Sequence, residues 1–136
     1  MEAELERLLI DDGKQVALAR KSAEVFRGDN YAFGIGVMNT GPGKESFSLT
    51  VELGKAIDKQ KQLLDVDKSL AEEWLLYDNS PRHLEQWESN KIGILVSVPK
   101  DALMGEYIFN ARFYKTDSSG KNEQYGNTLQ IIVIVK

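Results

Sequence analysis

Apolar residues recur at every second position in five segments of the chain, with mostly polar or small residues between them. Tyr31, Phe33, Ile35 and Val37 make the first segment, and Phe47, Leu49, Val51 and Leu53 the second. Ile92, Ile94, Val96 and Val98 follow, then Tyr107, Phe109, Ala111 and Phe113, and last Leu129, Ile131, Val133 and Val135. Successive side chains of a strand point to opposite faces, so a period of two gives each segment one apolar face to bury. Faces of this kind need a shared core between sheets, and the pattern predicts an all-β sandwich of about seven to eight antiparallel strands.

Weaker patterns fill the rest. Leu5, Leu8 and Leu9 recur at helical spacing among Glu2, Glu4, Glu6 and Arg7, which predicts a short helix or an extended lead-in over residues 1–13. The sandwich is expected over residues 14–136, beginning with an edge strand that carries Val16, Leu18 and Val25 and can switch sheets. Arg27-Gly28-Asp29-Asn30 predicts a tight turn, and Asn39-Thr40-Gly41-Pro42-Gly43-Lys44 a loop that joins its neighbouring strands as a hairpin. Alternation disappears between Gly54 and Glu73, an excursion with a helical turn from Asp67 to Glu73 that Asp67 would cap. Trp74-Leu75-Leu76-Tyr77 reads as a strand ended by Asp78-Asn79-Ser80-Pro81, and Thr116 to Asn122 as a polar hairpin loop.

Composition narrows the function classes. A chain of 136 residues forms one domain large enough to fold without a metal or disulfide. It has no cysteine, which leaves the redox compartment open. A formal charge of −4 argues against a nucleic-acid partner, because phosphate binding needs a clustered basic face. No apolar run reaches the roughly 18 residues of a membrane helix, and Met1-Glu2-Ala3-Glu4 lacks the basic start of a signal peptide. Membrane contact is expected only through an N-terminal anchor upstream of this segment, of which Glu2 to Ile10 would be the remnant.

Phe33-Gly34-Ile35-Gly36-Val37-Met38-Asn39-Thr40-Gly41, followed by Phe47-Ser48-Leu49-Thr50-Val51, resembles the strand, Asn-Thr-Gly turn and strand of immunoglobulin-like domains in archaeal and bacterial cell-surface proteins. Val98-Pro99-Lys100-Asp101-Ala102 with Gly105-Glu106-Tyr107-Ile108-Phe109 is similar to the segment that precedes the penultimate strand of those domains, and Leu129 to Val135 to their closing strand. Leu103-Met104 is bulkier than the family pattern, and the excursion from Lys55 to Glu73 departs from it. The resemblance implies a Greek-key, immunoglobulin-like sandwich and a non-enzymatic structural or adhesive module outside the cytoplasm. In surface-layer-associated, pilin-like and archaellum stator proteins such a module follows an apolar helix, so a membrane-anchored, archaeal surface protein is expected. It also implies that Phe109 takes the core position of a disulfide cysteine in antibody domains. Independently of any family, Gly105 permits a sharp entry into its strand, Tyr107 can return its hydroxyl to the preceding loop, and Pro99 ends a strand because it cannot donate to the ladder.

Candidate chemistry is sparse. The lone histidine, His83, has no nucleophile elbow to serve, and no carboxylate pair stands apart among the 21 acidic residues. Asp65-Val66-Asp67-Lys68-Ser69 starts like a calcium loop, but Leu70 and Leu76 fill its required glycine and acid positions. Asp11-Asp12 and Asp117 read as turns before they read as calcium ligands. Gly34-Ile35-Gly36 lies within a strand rather than before a helix, which fits close packing by another element and not a dinucleotide. Lys55, Lys59, Lys61 and Lys68 are diluted by Asp58, Asp65 and Asp67 into a solvated face. No cofactor is expected. Trp74, Tyr77 and Trp87 could form an aromatic platform for sugars, which makes a carbohydrate-binding module for surface glycans the alternative, beside a cytosolic scaffold or chaperone-like sandwich. The expected partner is a protein, or a second copy, meeting a sheet edge or face.

Overall fold

Strand follows strand along nearly the whole chain in the computed structural model, which describes residues 8–11, 20–117 and 119–136. In chain order these are β1 Leu8–Asp11, β2 Arg20–Val25, β3 Asn30–Met38, β4 Glu45–Ile57, a helical turn α1 Lys68–Glu72, β5 Leu75–Leu76, β6 Arg82–Leu84, β7 Ser89–Ser97, β8 Gly105–Thr116 and β9 Asn122–Val135. Two sheets result, ordered β1-β3-β7-β5 and β2-β9-β8-β4-β6. The alternating sets face inward from both: Ile35, Ile94 and Val96 from one sheet meet Phe47, Leu49, Phe109, Phe113 and Ile131 from the other, all buried. Each such side chain contributes about 1.5–3 kcal/mol by leaving water. Tyr31 is the exception among these residues, 39% exposed and lying edge-on to Phe33 at 4.9 Å.

The local expectations resolve in different ways. Leu8–Asp11 are extended and pair parallel with β3, so this part takes the extended of the two alternatives for the lead-in, while Met1–Arg7 lie outside the described residues. β2 pairs parallel with β9, so the chain changes sheet between β1 and β2, through residues 12–19 outside the described set, Val16 and Leu18 among them. The strand expected over Trp74–Tyr77 is cut to Leu75–Leu76.

The join between β3 and β4 departs further from expectation. β3 and β4 do not form a hairpin, because β3 pairs with β7 and β1 whereas β4 pairs with β8 and β6. The loop between them crosses from sheet to sheet, and buried Asn39 holds the crossing. Its Nδ2 donates to the carbonyls of Gly43 and Leu84 at 2.8 Å each, and its Oδ1 accepts from the Gly41 amide at 2.9 Å. The Tyr125 hydroxyl donates to the Met38 carbonyl at 2.8 Å and accepts from the Thr40 amide at 3.1 Å. A turn-rich composition marks a reversal but not which sheet receives the chain afterwards.

The other end of the sandwich is fixed by Tyr107, buried in the core, whose hydroxyl donates to the Leu103 carbonyl at 2.7 Å. Burial raises the pKa of this phenol, so it stays a donor across the physiological range. Gly105 has φ +151°, and a Cβ there would sit 2.4 Å from the Ile57 carbonyl oxygen and 2.8 Å from Leu64 Cδ1. Phe109 is fully buried opposite Leu53 and Ile131, and exposed Pro99 follows the end of β7, its carbonyl accepting from Ala102 at 3.2 Å. Gly34 lies opposite Gly93 in the β3–β7 pair, and a Cβ on Gly93 would meet nothing within 4 Å, so among the described residues this patch is open rather than packed.

Urea denaturation should show Tyr107→Phe less stable by about 1 kcal/mol, one buried neutral hydrogen bond. Gly105→Ala should lose more than about 1 kcal/mol, because an added methyl meets backbone. In the β8–β9 turn, Asp117 Oδ1 accepts from Ser119 Oγ, the Ser119 amide and the Lys121 amide. The Ser119 hydroxyl bond is the main cause that holds the Asp117 carboxyl below its ordinary pKa. A depressed folded pKa stabilises the turn above the unfolded value, and that contribution disappears as pH falls through the folded one. A carbon-detected NMR titration should find Asp117 titrating below an ordinary aspartate, with the Ser119 and Lys121 amides shifting at the same midpoint.

Candidate functional site

Main-chain groups on the outer side of a strand need partners, and the two sheets treat this need differently. β4 meets β6 only over Glu45–Phe47. Farther along, the Val51 amide donates to the Tyr77 hydroxyl at 3.0 Å and the Leu53 amide to a Glu72 carboxylate oxygen at 2.8 Å. Beyond them the Leu64 amide donates to the Ala56 carbonyl at 2.9 Å, and Leu63 bridges to Ile57. The excursion after β4 thus closes that strand's outer edge at Val51, Leu53, Ala56 and Ile57. α1 exists to place Glu72 there, with Asp67 as its N-cap accepting from Ser69 and Leu70, so Asp67 is a helix cap rather than an ion ligand.

β7 is treated otherwise. The Ser97 amide donates to the Trp74 carbonyl at 2.8 Å, on the side of β7 away from β3, while the Glu88 carbonyl accepts from Asn39 on the β3 side. Main-chain directions alternate along a strand, so Leu95, Gly93, Lys91 and Ser89 present their groups to the outer side. β5 pairs there with Val96 and Leu95 only. The chain then leaves, because the Tyr77 hydroxyl is engaged by β4 in the opposite sheet and Asp78–Pro81 carries it across to β6. No described strand lies beside Lys91 and Gly93 on this side, and both residues are exposed.

A groove of about 360 Å³ runs along this edge, lined by Asp78, Ser80, Arg82, Lys91 and Gly93 among others. Arg82 is mostly buried: its Nη2 donates to the Asp78 carbonyl at 2.9 Å and lies 3.6 Å from Asp78 Oδ2. Its Nη1 is buried with no hydrogen-bond partner. Asp78 accepts from the Ser80 hydroxyl and, at 3.0 Å, the Ser80 amide. These bonds, the hydroxyl first, hold the Asp78 carboxyl below its ordinary pKa, so it stays ionised at the groove's mouth.

The aromatic platform is not assembled. Trp74 packs against the core with its ring 4.7 Å from that of Tyr107, and Tyr77 is engaged by β4. Trp87 lies at the opposite end of the nine-residue strand β7, about 27 Å away at the usual strand rise. It is 64% exposed, at φ +68°, and its amide donates to the Asn39 carbonyl at 2.6 Å. His83 is exposed on β6, opposite Ser46. Arg82, Lys91 and Gly93 were invisible to motif reading. The available signal was a glycine at an outward position of a strong strand, which marks a bulge or a close backbone approach.

No protein-family model matches the chain, and a search of curated proteins finds no match. Solved structures share its fold. The ASH / PapD-like domain of human CEP192 is 11% identical, with a TM-score of 0.64 over 88% of this chain and 82% of that one. A family 123 glycoside hydrolase from Clostridium perfringens is 13% identical, with a TM-score of 0.62 over 88% of this chain and 23% of that one. The class 5 fimbriae chaperone CfaA is 13% identical, with a TM-score of 0.50 over 85% of this chain and 54% of that one. This chain therefore spans about a quarter of the hydrolase's length and about half of the chaperone's. At such identities the likeness shows the fold alone: this is an all-β sandwich of the immunoglobulin-like and PapD-like kind.

Proposed function

We propose that the chain is a non-enzymatic interaction domain that holds a protein partner at the side of its sandwich, as part of a membrane-anchored protein at a prokaryotic, archaeal-type cell surface. The observation that carries the reading is the contrast between two edges: β4's outer amides are closed by Tyr77 and Glu72, while β7 keeps Lys91 and Gly93 exposed beside a groove. An open stretch of edge beside one that the chain has closed is a docking rail. The fimbriae chaperone of similar fold supports a chaperone-like or adhesive role. The hydrolase lends no activity, because the chain spans a minor part of it. The surface location rests on the resemblance of residues 33–51 and 98–109 to surface domains.

A photoreactive residue at Gly93, introduced into the full-length protein in its own cells, should yield one discrete protein adduct, while the same residue at Glu123 on β9 should not. Adducts from neither position, or from both alike, would contradict the reading. Fractionation of the same cells should recover the protein with the envelope, and recovery in the cytosol would remove the surface location while leaving the interaction role.

A further inference from the structure

We infer that the open edge of β7 takes up an extended segment of a partner protein that carries acidic side chains, by strand addition along the line β5 abandons after Leu76. The inference rests on the interaction reading above and specifies its partner. β5 occupies the rail beside β7 only at Leu95 and Val96, so the rail beyond it is free for another strand among the described residues. Lys91 and Gly93 supply donors and acceptors at the spacing a strand matches. Gly93 adds no side chain to obstruct an approaching backbone, with nothing within 4 Å of its ideal Cβ.

Charge selects the segment. Side chains of an added strand alternate between the two faces of the sheet. Ile92 and Ile94 point into the core, so Lys91 stands on the outer face and meets one set of the partner's side chains. Arg82 comes from the other sheet, lines the inner side of the groove and meets the alternate set. Asp78 is the one carboxylate among the groove's lining residues and is engaged with Arg82, against the two cations Arg82 and Lys91, so the groove keeps a positive charge for a partner's carboxylate. Two copies paired about a two-fold axis centred on Lys91 would set this lysine opposite itself, an unfavourable contact that argues for a different partner. β2 is the less suitable edge, carrying Arg20, Lys21 and Glu24, the charged pattern that discourages added strands.

The test uses two blocked peptides, Thr-Val-Asp-Val-Asp-Val-Thr and its Lys-for-Asp counterpart, titrated into the full chain while amide shifts and hydrogen exchange are followed by NMR. The acidic peptide should bind about tenfold more tightly, the effect of one charge-assisted contact, and should slow exchange at Lys91 and Gly93. Lys91→Glu should narrow or reverse the preference with the core amides of Ile92 and Ile94 unchanged. Lys91→Pro, which removes an outward N–H that no described group uses, should weaken both peptides. Equal binding of the two peptides would overturn the acidic selectivity. Protection confined to β1 or β2 would overturn the site yet leave the interaction reading intact. Concentration-dependent protection of Lys91 and Gly93 without peptide would make a second copy the occupant and overturn the proposal. If neither peptide binds while the Gly93 crosslink still forms in cells, this inference fails alone; if both fail, the interaction reading fails with it.

Discussion

Every outer strand of a sheet carries a row of amides and carbonyls that must be satisfied by protein or water, and this sandwich is organised around which rows it closes. The excursion after β4 looks superfluous to the fold until its bonds are followed. Glu72, on a helical turn capped by Asp67, accepts from Leu53, and the Tyr77 hydroxyl accepts from Val51. Closing β4 commits Tyr77 to the opposite sheet. That commitment ends β5 after two residues and leaves the middle of β7 uncovered. One edge is closed at the expense of the other, and the groove lined by Arg82 and Lys91 is the consequence.

The two ends of the sandwich make this arrangement rigid. Asn39 and Tyr125 tie the crossing loop to Leu84 and Met38 at one end, with all of Asn39's side-chain donors and its acceptor engaged. Tyr107 ties the Leu103 loop at the other, against Trp74. Because Trp74 is held there, its carbonyl is positioned to receive the Ser97 amide, where the closed stretch of β7 begins. A satisfied buried network of this kind fixes one geometry, so the open rail is presented by a stiff frame rather than by a loop.

Much of this was legible in the sequence because its cause is local. Period-two burial marks the strands around Ile35, Leu49, Ile94, Phe109 and Ile131, and Asp67 marks its helix by the chemistry of a cap. Tyr107 could be placed by its offset from Gly105. Pairing was less legible, because it depends on partners distant along the chain. Asn39 to Lys44 reads as a hairpin loop, and only the long-range bond from Asn39 to Leu84 shows that it crosses between sheets. The sugar platform failed for a similar reason: Trp74 and Trp87 are near in sequence but stand at opposite ends of β7. Lys91 and Gly93 form no motif, and their importance arises from what fails to cover them.

Amide hydrogen exchange of the free chain addresses the central claim directly, because it compares outward amides at two edges of one molecule. Val51 and Leu53 should exchange as slowly as core amides such as Ile94, while Lys91 and Gly93 should exchange at least about tenfold faster. Equal protection at the two edges would mean that β7 is closed as β4 is, and the account of an open rail would be wrong.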